Sequence, residues 1–181
     1  MKSLVVYFSR ADENYNVGTV EVGNTELLAK EIIAKTGADE FKIEPKDKYP
    51  AVYQEAIERA TEERRSGARP EYIGDVDIAG YDTIFFGYPI WWGDMPMVVY
   101  NFIEKHNFDG KTVIPFCTHE GSGNSGTYEV LAELMPGANL KGDGFNMSGA
   151  TARTEDGIRK LDEWLEGLGS EIPRDRMSVG F

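Results

Sequence analysis

The sequence predicts an α/β fold: a parallel sheet with helices on both faces. Three observations predict it. Residues 4–8, 82–87 and 112–118 are short runs that are apolar almost throughout, as strands covered on both faces must be. Between and after them, apolar residues recur at helical spacing. Strands alternating with helices imply parallel pairing, because each crossover needs a helix to return the chain.

The elements follow in order. The first strand is LVVYF, residues 4–8. The period then changes: Leu27, Leu28, Ile32 and Ile33 repeat at helical spacing, with Lys30 and Glu31 between them. Asn24, a preferred N-cap residue, stands where that helix begins. Residues 39–44 alternate in polarity, which suits a half-covered edge strand. Tyr53, Ala56, Ile57 and Ala60 draw one apolar stripe along a highly charged helix ending near Arg65. Residues 66–81 read as a long ordered surface loop, since no independent core follows them.

Residues 82–87 form the second apolar strand and 88–96 its exit loop, after which Val98, Val99, Phe102 and Ile103 mark a helix. Residues 112–118 form the third apolar strand. Pro115 cannot donate to a central ladder, so a bulge or the end of pairing is expected there. Tyr128, Leu131, Ala132 and Met135 continue as a helix, and residues 140–147 hold a weak last strand. Thr154 caps a closing helix whose stripe is Ile158, Leu161, Leu165 and Leu168.

At 181 residues the chain reads as one domain, 1–181, burying roughly 70% of its unfolded surface without disulfide or metal. Cys117 is the only cysteine, which excludes intramolecular disulfides and thiolate-clustered metal sites and fits a reducing compartment. It reads as a small buried hydrophobe at a strand end. The chain opens without a cationic segment leading into an apolar one, so a cytoplasmic location is expected. The most apolar run, 83–93, is too short to span a bilayer. The net charge of −12, from 31 acidic and 19 basic residues, offers no basic stripe for nucleic acid. It suits fast docking to basic partners, or simply keeps the protein soluble.

In a parallel sheet, ligands bind outside the carboxyl ends of the strands, at the switch in strand order. The loops after Phe8, Tyr88 and Thr118 all leave those ends. A strand feeding a helix N-terminus through a glycine- and hydroxyl-bearing loop is a place to hold phosphate, because the first-turn N–H groups are unpaired and the dipole is positive there. The dinucleotide fingerprint G-x-G-x-x-G is absent after Phe8. Residues 18–25 nearly match the triphosphatase loop, but Asn24 replaces its lysine. A third reading needs no cation: Ser9, Asn24, Thr25 and backbone N–H groups wrap one terminal phosphate. An ordinary N-cap is the remaining alternative. In the second loop Trp91 and Trp92 are adjacent, bracketed by Pro89, Gly93 and Pro96. They form either a rigid platform for a flat ring or a cap on the core. Gly93 leaves a peptide free to reorient.

These residues carry a resemblance. Ser9 with Gly23-Asn24-Thr25, then Gly87-Tyr88-Pro89-Ile90-Trp91-Trp92-Gly93, then Thr118-His119-Glu120-Gly121-Ser122-Gly123 resemble the flavodoxin family, closest to a flavodoxin-like branch with an enlarged first loop. The likeness runs along essentially the whole chain. It implies a three-layer doubly wound sandwich with a five-stranded parallel sheet in the order 2-1-3-4-5. It also implies flavin mononucleotide (FMN), with phosphate in the first loop and the isoalloxazine between the other two. The cofactor-binding residues so implied are Ser9, Arg10, Gly23, Asn24 and Thr25; Pro89, Ile90, Trp91, Trp92 and Gly93; and Thr118, His119, Glu120, Gly121, Ser122 and Gly123. No catalytic side chain and no metal are expected, since FMN carries the chemistry.

Two departures stand out. Residues 11–22 separate Ser9 from Gly23, and His119 and Glu120 occupy the third loop where many flavodoxins place a second stacking tyrosine. The implied function is low-potential electron transfer between redox partner proteins with basic docking surfaces, through the FMN semiquinone and hydroquinone. The rival is an NAD(P)H-dependent FMN or quinone oxidoreductase on the same fold, although no second nucleotide fingerprint is visible. A third reading is a regulatory flavin module or a chain that has lost flavin. The protein's lever on the cofactor is electrostatic, with Asp94 and Glu120 as candidate neighbours. A unit charge about 10 Å away contributes roughly 1.7 kcal/mol at an effective dielectric near 20, roughly 70 mV for one electron. His119 reads as an acid or as a ring packing on the flavin edge, and His106 as a structural residue near a helix's negative pole.

Overall fold

The computed structural model describes residues 2–169. Along the chain run β1 (Ser3–Tyr7), β2 (Asp12–Asn14), β3 (Gly18–Val20), α1 (Asn24–Thr36), β4 (Asp39–Lys42), α2 (Tyr53–Ser66) and β5 (Thr83–Pro89). Then come α3 (Met97–Lys105), β6 (Thr112–His119), α4 (Thr127–Leu134), β7 (Asn139–Leu140), β8 (Phe145–Ser148), α5 (Gly149–Ala152) and α6 (Glu155–Leu168). The main sheet has the order β4-β1-β5-β6-β7, with β8 also on β6, and every pairing in it is parallel. This is the predicted order 2-1-3-4-5, with the fifth place shared by two short strands.

Alternation along the central strands makes the two cores. Leu4, Val6 and Phe8 with Ile84, Phe86 and Tyr88 face α3 and α4 residues such as Phe102 and Leu131. Val5, Tyr7, Phe85, Ile114 and Phe116 face Leu28 and Ile32 of α1 and Leu161 and Leu165 of α6. The edge strand β4 stays half exposed, as its alternation predicts. Gly87 is required where it stands, since a Cβ there would lie 2.2 Å from the Phe116 ring.

Pro115 explains why the fifth strand is split. Thr112 N–H donates to Asp82 O on the β5 side, and Lys141 N–H donates to Val113 O on the other. By alternation Pro115 turns toward the fifth strand, where it has no N–H to offer. There β7 ends after pairing with Thr112 and Val113, residues 141–144 loop out, and β8 resumes opposite Phe116. The expected irregularity therefore falls on the neighbouring strand, and β6 itself runs through unbroken.

Residues 11–22, expected as a polar loop, contain the antiparallel hairpin β2–β3. Its reversal uses positive φ at Asn16 (66°) and Gly18 (75°). Asn24 is the first helical residue, not the N-cap; Gly23 holds that position, and the capping oxygen comes from Ser9, whose Oγ accepts from Glu26 N–H at 3.0 Å. Thr154 does cap α6, accepting from Gly157 N–H at 3.0 Å. His106 is structural: its ring stacks on Phe102 at 4.0 Å, with Nδ1 2.7 Å from Phe102 O and Nε2 2.8 Å from the Asp75 carboxylate. The 66–81 connection is ordered by the Pro45–Tyr72 bridge and by Asn101, which donates to Pro70 O at 2.8 Å. Cys117 is fully buried, and burial pushes its thiol up to about 11. No described helix is long and apolar enough to cross a membrane.

Candidate functional site

The carboxyl ends of β1, β5 and β6 open on one pocket. Ser9, Arg10, Asn24, Thr25, Pro89, Ile90, Trp91, Thr118, His119 and Glu120 line it, so ten of the sequence-predicted residues meet there. Trp92 lines a neighbouring cleft, and Gly23, Gly93, Gly121, Ser122 and Gly123 shape the loops without lining either space.

The first loop forms a nest of donors. Thr25 and Thr118 share a buried hydrogen bond at 2.7 Å between their hydroxyls, which ties the first loop to the third. Ser9 Oγ is occupied as an acceptor by Glu26 N–H, and its own hydrogen remains available to donate. The backbone N–H groups of Ser9, Arg10, Asn24 and Thr25 have no acceptor among the described residues. Gly23 permits this closeness: a Cβ there would lie 2.3 Å from Ser9 Oγ and 2.6 Å from Arg10 O. Converging open donors at a helix N-terminus fit an oxyanion, which accepts only.

The second loop closes as a tight turn. Trp91 and Asp94 exchange backbone hydrogen bonds at 2.8 and 3.1 Å, and the two residues between them, Trp92 (φ 55°) and Gly93 (φ 69°), are left-handed. That is the type I′ pattern, unusual with a tryptophan at its first central position. The two indoles consequently part company. Trp91 packs edge-on against Phe8 at 5.3 Å and Tyr49 at 5.0 Å, whereas Trp92 projects outward, 56% exposed. The expected double platform is thus a single locked indole, Trp91, with Trp92 at its tip. Between this loop and α2 lies a cleft of about 190 Å³, walled by Tyr53, Ala56, Ile57, Ala60, Trp91 and Trp92.

The third loop holds His119 in one tautomer. Gly121 N–H donates to Nδ1 at 2.9 Å, so Nε2 carries the proton and donates to Asn146 Oδ1 at 3.1 Å. Glu120 is exposed overall, yet partial burial at the pocket rim raises its carboxyl above the ordinary carboxylate range. Asp94, expected as a second charge near the ring, is spent elsewhere: it accepts from Tyr100 OH at 2.7 Å and from Met95 N–H at 2.7 Å. Arg10 likewise turns its guanidinium onto backbone carbonyls, donating to Glu13 O and to Pro50 O (2.7 Å) and Ala51 O (3.1 Å).

Sequence reasoning missed one wall. Asn14, Tyr15 and Tyr53 line the pocket from the hairpin and the start of α2. Asn14 donates to Arg10 O at 3.0 Å, Glu13 Oε2 accepts from Tyr53 N–H at 2.9 Å, and the Tyr15 and Tyr53 rings lie 6.1 Å apart. Asn16 and Gly18 ahead of Thr19-Val20 are the only local signal for that hairpin. Arg153, whose Nε donates to Asn24 Oδ1 at 2.9 Å across 129 residues of chain, left no sequence signal.

The comparisons concern the family and the fold. A family profile described as flavodoxin matches residues 2–168. A candidate flavoprotein from Bacteroides eggerthii is 30% identical, with 92% of this chain and 97% of that chain covered and a TM-score of 0.71. Its counterpart from Bacteroides uniformis is also 30% identical, covering 91% and 97%, with a TM-score of 0.72. A flavoprotein of Lactobacillus acidophilus, solved in complex with FMN, shares the fold at 18% identity, covering 91% and 98%, with a TM-score of 0.63. No curated protein matches.

Proposed function

The chain belongs to the flavodoxin family, and from that premise we propose that it binds FMN and transfers electrons between redox partners. The observation that carries this reading is the donor nest of the first loop, facing Trp91 across a single pocket. Asn24 and Thr25 offer backbone N–H groups to the terminal phosphate, and Ser9 offers its hydroxyl hydrogen. The Thr25–Thr118 hydrogen bond keeps the phosphate loop and the ring loop at a fixed separation. Trp91 and Ile90 would give the ring an apolar wall, and Tyr15 and Tyr53 line the same pocket. Bound there, FMN supplies reversible one-electron chemistry; the protein supplies position and field. The relative solved with FMN supports the choice of cofactor.

A second reading, an NAD(P)H-dependent FMN or quinone oxidoreductase, draws on the cleft beside Trp91, whose aromatic and aliphatic lining suits a small flat molecule. An anaerobic titration of the reconstituted protein separates the two. Two resolved one-electron steps support the carrier. Rapid bleaching by NADH or NADPH, with turnover of a quinone, supports the enzyme. A protein that stays colourless after reconstitution with FMN refutes both.

A further inference from the structure

Asn24 is 92% removed from solvent, being 8% exposed, yet half of its amide is unused. Arg153 Nε donates to its Oδ1 at 2.9 Å, and the same guanidinium donates through Nη2 to Val22 O, two residues earlier. Only an amide oxygen accepts from a guanidinium, so this contact decides which way the amide is turned. Nδ2 then points the other way and has no acceptor among the described residues. It lies over Gly149, where a Cβ would come within 2.1 Å of it, beside the pocket that Asn24 lines. Arg153 itself is well placed to hold still: it ends α5, with its N–H bonded back to the Ala150 and Thr151 carbonyls.

We propose that Arg153 is the positioning residue of the phosphate site, holding the Asn24 amide with Oδ1 turned away and Nδ2 presented to the anion. The inference rests on the FMN reading above and deepens it. Arg153 does not touch the phosphate; it removes the competing amide orientation, in which an oxygen would face an oxyanion. Its fork also reaches the Val22 carbonyl, which fixes the guanidinium plane and so the direction from which Nε meets the Asn24 amide. Lysine could supply charge but not this fork. The Glu120 carboxylate, whose Oε1 would lie 2.8 Å from the same Gly149 Cβ, is an acceptor on the Nδ2 side and favours the same amide orientation.

The test is equilibrium titration of the flavin-free protein with FMN and with riboflavin, followed by flavin fluorescence. Wild type should bind FMN the more tightly. Arg153→Met should weaken FMN about tenfold or more, the usual scale for a charge-assisted hydrogen bond, and leave riboflavin within about twofold. Arg153→Lys, a milder change, should move FMN affinity in the same direction. Arg153→Met combined with Asn24→Ala should bind FMN no worse than Asn24→Ala alone, because the two act as one unit. Equal weakening of both flavins, no weakening, or additive losses in the double variant would overturn the proposal. A wild type that binds both flavins equally overturns it too, while leaving flavin binding intact. A wild type that binds neither overturns the FMN reading itself.

Discussion

Glu120 carries its charge at the pocket rim with no cation bonded to it among the described residues, and this has two consequences. Burial raises its folded-state carboxyl, so folding disfavours the ionised form relative to the unfolded chain. The resulting penalty is absent at acid pH and grows as pH rises past the unfolded carboxyl's value. Glu120→Gln should therefore be at least as stable as wild type at neutral pH, with the two denaturation curves converging near pH 4. If FMN is bound, the same change should also raise its reduction potential by tens of millivolts, with about 70 mV as the ceiling. Spectroelectrochemistry reads that directly, and an unchanged potential would place the carboxylate too far from the ring or too well screened to matter. Thr25→Val makes a cleaner structural probe, since it leaves the Thr118 hydroxyl buried and unpaired. It should cost about 1–3 kcal/mol in urea unfolding. Ser9, Asn24, Thr25 and Thr118 were legible because each lies at the carboxyl end or helix start that the hydrophobic period announces. The parting of Trp91 and Trp92 was not legible, because it follows from two left-handed dihedrals that adjacent indoles do not encode.

At the scale of elements, the hairpin β2–β3 matters more than its length suggests. Helix α2 buries only Ala56 fully, so packing alone holds it weakly. Its start is secured from outside by Glu13, which accepts from Tyr53 N–H at 2.9 Å and whose own N–H donates to Ala51 O at 3.2 Å. Glu13→Ala removes a side-chain cap and should destabilise the protein by about 0.5–2 kcal/mol. Faster amide exchange should be confined to the first turn of α2; protection unchanged there would mean the hairpin does not support the helix. A second weak point is the gap in the fifth strand. Gly144→Ala would set a Cβ 2.3 Å from Pro115 O, so the loop that spans the gap must shift, at a cost of about 1–3 kcal/mol. The three inner strands were readable because burial on both faces leaves polar residues almost only at their ends. The fifth strand read weakly for the reason now visible: Pro115 on its neighbour divides it into two pieces of two and four residues. The hairpin strands, three residues each with no apolar alternation, carry no period at all.

For the molecule as a whole, the net charge of −12 turns the choice between carrier and enzyme into a question about salt. Long-range attraction or repulsion acts over a Debye length, about 30 Å at 0.01 M ionic strength and about 10 Å at 0.1 M. A basic protein donor is drawn toward this surface, so added salt should slow its delivery of electrons. NADH and NADPH are anions and are repelled, so salt should speed any reaction with them until screening is complete. The two activities thus predict opposite slopes for the same protein, independent of their absolute rates. Stopped-flow reduction of the flavin-loaded protein between about 10 and 200 mM salt measures the slope. With a basic, low-potential electron-transfer protein as donor, the second-order rate should fall several-fold across that range. A flat profile with such a donor would mean that the acidic residues keep the protein in solution and do not steer it. A rising profile with NADPH, alongside catalytic turnover, would instead assign the cleft beside Trp91 to a substrate.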